Sequence, residues 1–347
     1  MGQTECLDFL RDLIKDNDHI ALAYITGILP IKKYGQHSAL NMFTEYSMVF
    51  PRQMARYTGF TEDEVRALCE RYGRAFKVVR AWYDGYEVSD VVPANPGHKE
   101  LRETGKVPDA AKYSLYSPLS VVEAITTGVV RDYWNQTETY EALAEYIRRD
   151  YDGLKRSVAL LMDGGRLDID TSTYQNDMTT FHGRDDVLSL LVHLGYLGYD
   201  AGTGEVFVPN REVLDEFRTS TKTPEWEEPL RAFERSKELF RATWNRDVSR
   251  VAELLEEAHD RAANATYNDE AALSYAVQLA YYAAQRYYTT VLELDSGKGF
   301  ADIAYLPEPS HRLEHCQVQR HALDHILVER CAHSAKDMSG NAAFLAI

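Results

Sequence analysis

Asp302 is the residue whose surroundings most demand chemistry. It interrupts the apolar stretch 300–306 (FADIAYL), and strand alternation sets it on one face with Phe300 and Ala304, with Leu306 beyond. A carboxylate on an apolar strand face must find a cation or a donor, because burying it unpaired is costly or forces protonation. A metal ion is one answer; a cationic neighbour, such as Lys298 in the preceding turn, is the other. Glu270 stands in the first turn of a helix expected to begin at Asn268, where it either complements the helix dipole or supplies a second ligand. Glu293, in the strand expected over 289–294, is either an outward-facing edge residue or a third. Three acids on one helix and hairpin suit Mg²⁺, which takes a few hard oxygens and keeps several waters. Asp302 and Glu270 are therefore the candidate catalytic and metal-binding residues.

Other chemistries find less support. The tail, 308–347, holds five of the eleven histidines (His311, His315, His321, His325, His333) together with Cys316 and Cys331. His321 and His325 would share a helix face, as zinc-binding pairs do, but no glutamate sits in the zincin position and the cysteine spacing matches no zinc finger. Gly105-Lys106 and Gly297-Lys298 lack the glycine spacing and the following Ser or Thr of a phosphate-binding loop. No serine-centred nucleophile elbow is present.

The elements that must position these residues read as mainly helical. Residues 5–18 form an amphipathic helix, and 20–31 (IALAYITGILPI) reads as a short buried strand broken by Gly27 and Pro30. Residues 61–72 are a helix capped by Thr61 with Glu64 closing a capping box and Gly73 ending it. Pro118 suits the first turn of a helix over 117–127, and further helices are expected near 138–149 and 152–162. Helix 185–194, a strand, the turn 200–204 and a second strand form a winged-helix pattern. Its many acids favour a structural role over DNA binding. The polar stretch 218–229 reads as a linker, 230–263 as amphipathic helices, and 268–306 as a helix followed by a hairpin.

With 45% hydrophobic and 27% charged residues the chain is an ordinary globular mix, and 347 residues allow two or three domains. A net charge of −16 opposes polyanions and anionic lipid over the surface as a whole, so a nucleic-acid site would have to be a local basic pocket or metal-bridged. Four scattered cysteines are too few for a disulfide framework and fit a reducing, cytoplasmic setting. No apolar run approaches the ~18 residues of a membrane helix, so no membrane partner is expected.

Several motifs, in order, resemble bacterial AAA-ATPase-like proteins fused to a C-terminal PD-(D/E)XK nuclease domain. They are Tyr24-Ile25-Thr26-Gly27-Ile28-Leu29, Leu40-Asn41, Gly59-Phe60-Thr61-Glu62-Asp63-Glu64-Val65, Trp82-Tyr83-Asp84-Gly85-Tyr86 and Tyr116-Ser117-Pro118-Leu119-Ser120. Leu190 to Leu197 (LLVHLGYL), Val208-Pro209-Asn210-Arg211-Glu212-Val213, Asn268 to Tyr275 (NDEAALSY) and Glu293 to Ile303 (ELDSGKGFADI) continue the series.

The resemblance implies a mainly α fold with α/β parts. Residues 1–217 would be the back of the ATPase-like domain, with a residual P-loop ATPase strand, a helical lid at about 52–163 and a winged-helix-like unit at about 166–217. Linker and helices over 218–265 would lead to a partial restriction-endonuclease-like domain over 266–347. It also implies Mg²⁺ at Asp302 and Glu270, ATP for the intact family member, and nucleic acid as a partner.

Two departures from the family pattern stand against activity. About 25 residues precede the Thr-Gly-Ile segment, and they contain neither a P-loop nor a Walker B strand. After Pro307 the family's Glu-x-Lys strand is absent; Glu314-His315-Cys316 and Glu329-Arg330-Cys331 are its nearest imitations, and Leu323, Ile326 and Leu327 have helical spacing. Without that lysine to orient the attacking water, and without that glutamate to share the metal, most of the chemistry should be lost. The pattern is that of a chain cut at both ends: an inactive fragment of such a fusion protein, or alternatively a non-catalytic interaction or scaffold protein.

Overall fold

The computed structural model describes residues 3–27, 43–90, 112–134, 150–174, 181, 183–263, 277–295, 300–307, 326–328 and 345–346. The chain divides into two compact units, Met1–Thr223 and Pro224–Ile347. Both are mainly helical, with small antiparallel sheets.

The first unit opens on α1 (Gln3–Ile14). Residues 20–27 then run without strand assignment, with Leu22 87% and Tyr24 80% exposed, which corrects the expected buried strand for this part of 20–31. A strand exists only through a neighbour's ladder, and among the described residues none pairs with this stretch.

The helix α2 (Glu62–Arg71) is capped as its sequence requires. Thr61 accepts from the Glu64 amide, Glu64 reaches back to the Thr61 amide, and Gly73 follows with φ +65°. Then come α3 (Phe76–Tyr83), β2 (Asp84–Ser89), β3 (Lys112–Tyr116) and α4 (Pro118–Thr127), whose first-turn proline is in place. With β1 (Phe60–Thr61) these strands form a sheet of order β1-β3-β2, where the sequence pattern reads mostly as helix. The pairing of β2 with β3 spans a long Pro/Gly-rich insert, and nothing in local periodicity announces a partner that distant in sequence.

Downstream lie α5 (Leu154–Met162), β4 (Leu167–Asp168), α6 (Arg184–His193), β5 (Gly198–Asp200), β6 (Glu205–Phe207) and α7 (Arg211–Ser220), with sheet order β4-β6-β5. Helix, strand, glycine turn and strand follow one another as the sequence indicates. The expected helix 138–149 lies outside the described residues.

The second unit packs α8 (Glu227–Trp244) and α9 (Val248–Ala263) against an antiparallel sheet. That sheet comprises β7 (Tyr288–Asp295), β8 (Phe300–Pro307), β9 (Ile326–Val328) and β10 (Leu345–Ala346), in the order β10-β9-β8-β7. Leu239, Phe240, Leu254, Tyr281, Ile303 and Tyr305 form its core. The helix expected to reach Arg286 instead tightens after residue 280 into a 3-10 turn over Tyr282–Arg286. There the Ala283 amide donates to Ser236 Oγ on α8, 2.9 Å away. The helical spacing read around Ile326 and Leu327 is overturned as well, because both pair with β8. Three apolar residues in a row suit a short strand covered on both faces as well as they suit a helix turn.

Candidate functional site

Asp302 lies in the middle of β8, next to the buried Ile303, Ala304 and Tyr305. Leu292 pairs with Ile303 and Leu294 with Ala301, so Glu293 and Asp302 occupy opposite positions of the ladder. The strand on the other side of β8 is β9, which sets Val328 opposite Ile303 and Leu327 opposite Ala304. Glu270, the second expected ligand, lies outside the described residues, as do Lys298 and the five tail histidines. Among the described residues no group of three metal-ligating side chains is assembled.

A second grouping of acids stands in the first unit. Asn210 caps α7, its side chain accepting from the Val213 amide at 3.0 Å. The inward face of α7 then carries Glu212, Val213, Glu216, Phe217 and Ser220, so two glutamates one turn apart enter the core with the apolar residues. Glu212 and Glu216 are 0% and 1% exposed. Glu212 Oε1 accepts from the Tyr133 amide at 2.7 Å, while Oε2 is buried without a partner, as is Oε2 of Glu216. The half-buried Asp132 lies beside Glu216, and its Oδ1 accepts from the Trp134 amide at 2.8 Å. Among the described residues no ion pair reaches any of these three carboxylates.

Burial pushes the Glu212 carboxyl up to about 7, against the opposing pull of Ser120 and the Tyr133 amide. The same desolvation, added to by Asp132 and Glu212, raises Glu216 well above the carboxylate range, so that Glu216 keeps its proton at neutrality.

Motifs that look unrelated in sequence meet at this place. The Asn210 side-chain amide donates to the Tyr83 carbonyl, and Tyr86 Oη donates to the Gly195 carbonyl at 2.6 Å. Gly85 has φ +137°, and a Cβ there would collide with the Pro209 carbonyl oxygen, so only glycine lets β2 approach the start of α7. The segments around Tyr83 to Tyr86, Gly195 and Pro209 to Glu212 are therefore one joint. No family model, curated protein or solved structure matches this chain. Its function must be read from the residues alone. Trp134 packs on Tyr196 at 5.1 Å and, with Tyr86, Leu115 and Tyr116, lines a cavity of about 140 Å³. That is too small for a nucleotide, since ligand pockets run to several hundred Å³.

Sequence reasoning missed Glu212 and Glu216 because acids at i and i+4 on a polar helix ordinarily lie on its solvated face. The available signal was their place immediately before Val213 and Phe217, at the shoulder of the apolar stripe. No helix among the described residues is long and apolar enough to cross a membrane.

Proposed function

We propose that this protein is a catalytically silent relative of the ATPase–nuclease fusion proteins its motifs resemble. In this reading the β7–β8 hairpin keeps a weak Mg²⁺ site at Asp302, with Glu293 across the ladder and Glu270 as the second family ligand. The observation that carries it is the composition of β9: beside the strand bearing Asp302, where such a nuclease places Glu-x-Lys, stand Ile326, Leu327 and Val328. No side chain of that strand can hold a metal or help deprotonate water.

The helix-then-antiparallel-meander order of the second unit supports the restriction-endonuclease-like reading, and the α6–β5–β6 order supports the winged-helix-like one. ATP belongs to the complete family pattern. These 347 residues contain no phosphate-binding loop, and calorimetry with ATP and Mg²⁺ should show no saturable heat. A micromolar dissociation constant would overturn that expectation.

The decisive assay incubates the purified full chain with linear, supercoiled and single-stranded DNA in Mg²⁺ and in Mn²⁺. Silence predicts no cleavage above the protein-free blank. Cleavage that Asp302→Asn abolishes would show a working nuclease and end this reading.

A second reading, an interaction or scaffold protein, is favoured by the exposure of Leu22 and Tyr24 in a stretch that no described strand pairs with, near the start of the first unit. Concentration-dependent sedimentation that Leu22→Ser with Tyr24→Ser removes would support it; a monomer at all concentrations, binding no partner through this stretch, would not.

A further inference from the structure

We propose that Asp132, Glu212 and Glu216 form a proton-dependent latch that fastens residues 129–134 to α7, and that emptying it of its proton lets this segment and Trp134 come away. The two sides of the latch belong to different elements. Glu212 and Glu216 are fixed on α7, whose Val213 and Phe217 are fully buried and which Pro209, packed against Gly85, leads into. Asp132 sits in the short segment after α4, where Val129 is exposed and Asp132 itself half-buried. When the cluster charges fully, repulsion acts between these elements, and the segment has less holding it in place.

Among the described residues, the groups facing the cluster offer no compensating charge. From α3 comes Tyr83, whose Oη donates to the Arg131 carbonyl at 2.7 Å and accepts from the Arg131 amide. Tyr86 comes from β2 and Ser120 from α4, and Tyr133 lies within the segment. The helix α5, which also packs on α7, buries Leu154, Val158 and Leu161. The Arg131 guanidinium lies over the Tyr133 ring at 5.0 Å, and Arg211 over Trp82 at 4.5 Å. Burial holds Tyr83 and Tyr86 protonated far above neutrality, so neither titrates with the latch. Deprotonating Glu212 and Glu216 therefore leaves two buried charges beside Asp132, with no cation among the described residues to separate them.

The segment carries its own reporters. The Tyr133 and Trp134 amides are bonded to Glu212 and Asp132, and the Trp134 ring rests on Tyr196. On the full chain, amide-exchange protection at Tyr133 and Trp134 would be followed from about pH 5.5 to about pH 9, with far-UV circular dichroism as the check on global folding. The expected result is protection that falls by about tenfold per pH unit above a midpoint near or above neutrality while the dichroism stays constant. In Glu216→Gln, whose amide can still donate to Asp132, protection should persist at least one pH unit higher.

Flat protection in the wild-type chain over the whole range would overturn the latch, whatever the variants do. A transition unchanged in both Glu216→Gln and Glu212→Gln would overturn it too. So would suppression of the transition by millimolar Ca²⁺ or Mg²⁺, because the cluster would then be a cation site instead.

Discussion

Among the described residues both units bury phenols, but buried carboxylates stand only in the first. The first unit puts carboxylates and an imidazole inside: Glu212 and Glu216 on α7, Asp186 under the Thr173 hydroxyl, and His193 stacked on Tyr174 at 5.6 Å. The second puts phenols inside, with Tyr281 Oη bonded to Thr243 at 2.8 Å, Tyr288 Oη accepting from the Trp244 indole, and Tyr305 covered beside Tyr281. Phenols stay neutral under any physiological condition, and burial raises these three further. Burial moves the Glu212 and Glu216 carboxyls up toward neutrality and holds the His193 imidazole neutral well below it. Among the described residues the buried groups that titrate below pH 8 therefore stand in the first unit, and the buried phenols of the second do not respond over that range.

The largest effect expected is from Phe217→Ala. Its fully buried ring meets Tyr196 edge-on at 6.4 Å. Truncation should cost about 3–5 kcal/mol of first-unit stability in denaturant titration, and a loss under ~1 kcal/mol would mean the core beside the acids collapses readily.

The pH dependence comes next. Glu212 is raised in the folded state, so its contribution is fully present below the ordinary value of 4.5 and is lost as pH climbs through about 7. That loss is on the order of 3 kcal/mol, with Glu216 adding in the same direction. His193 acts oppositely. Burial lowers it from 6.5 to about 4, so stability falls as pH drops from 6.5 toward 4. Between 4.5 and 6.5 the two glutamates outweigh the histidine, and above 6.5 they act alone, so first-unit stability should decline into mildly alkaline solution. Glu216→Gln should flatten this decline; a first unit steadily more stable from pH 5 to 8 would break the contrast between the units.

Smaller effects sharpen it. Tyr281→Phe leaves the Thr243 hydroxyl with only its bond to the Leu239 carbonyl, and should cost about 1 kcal/mol in the second unit without changing any pH slope. Thr61→Ala removes one half of the capping box on α2 and should cost about 1 kcal/mol with an equally unchanged slope. Either variant altering the pH profile would show that the sensitivity is not confined to the buried acids.

Elements governed by neighbours in sequence were legible. The capping box at Thr61 and Glu64, the proline opening α4, the glycine turn between β5 and β6, and the β7–β8 hairpin all follow from residues a few positions apart. What depended on distant partners was not. β2 finds β3 across a long insert, and β9 finds β8 despite spacing that suits a helix. Residues 20–27, rich enough in apolar side chains for a buried strand, have no described ladder to join. The same division runs through the acids. Asp302 stood out because its own strand is apolar, whereas Glu212 and Glu216 sit among polar residues, and Tyr83, Tyr86 and Tyr133, which lie near Glu212, arrive from elsewhere.

The two acid groupings also answer differently to a metal. The α7 cluster assembles no ligand set among the described residues, whereas the function proposed above would put a weakly held hydrated divalent ion at Asp302, with Glu293 across the ladder. Paramagnetic broadening of amide resonances by Mn²⁺, measured on the full chain and on Asp302→Asn, separates them in one titration. The expected result is selective broadening around Asp302 and Glu293 at roughly millimolar Mn²⁺, absent from the variant, with Tyr133 and Trp134 unaffected. Broadening centred on Tyr133 and Trp134, or none near Asp302, would contradict it.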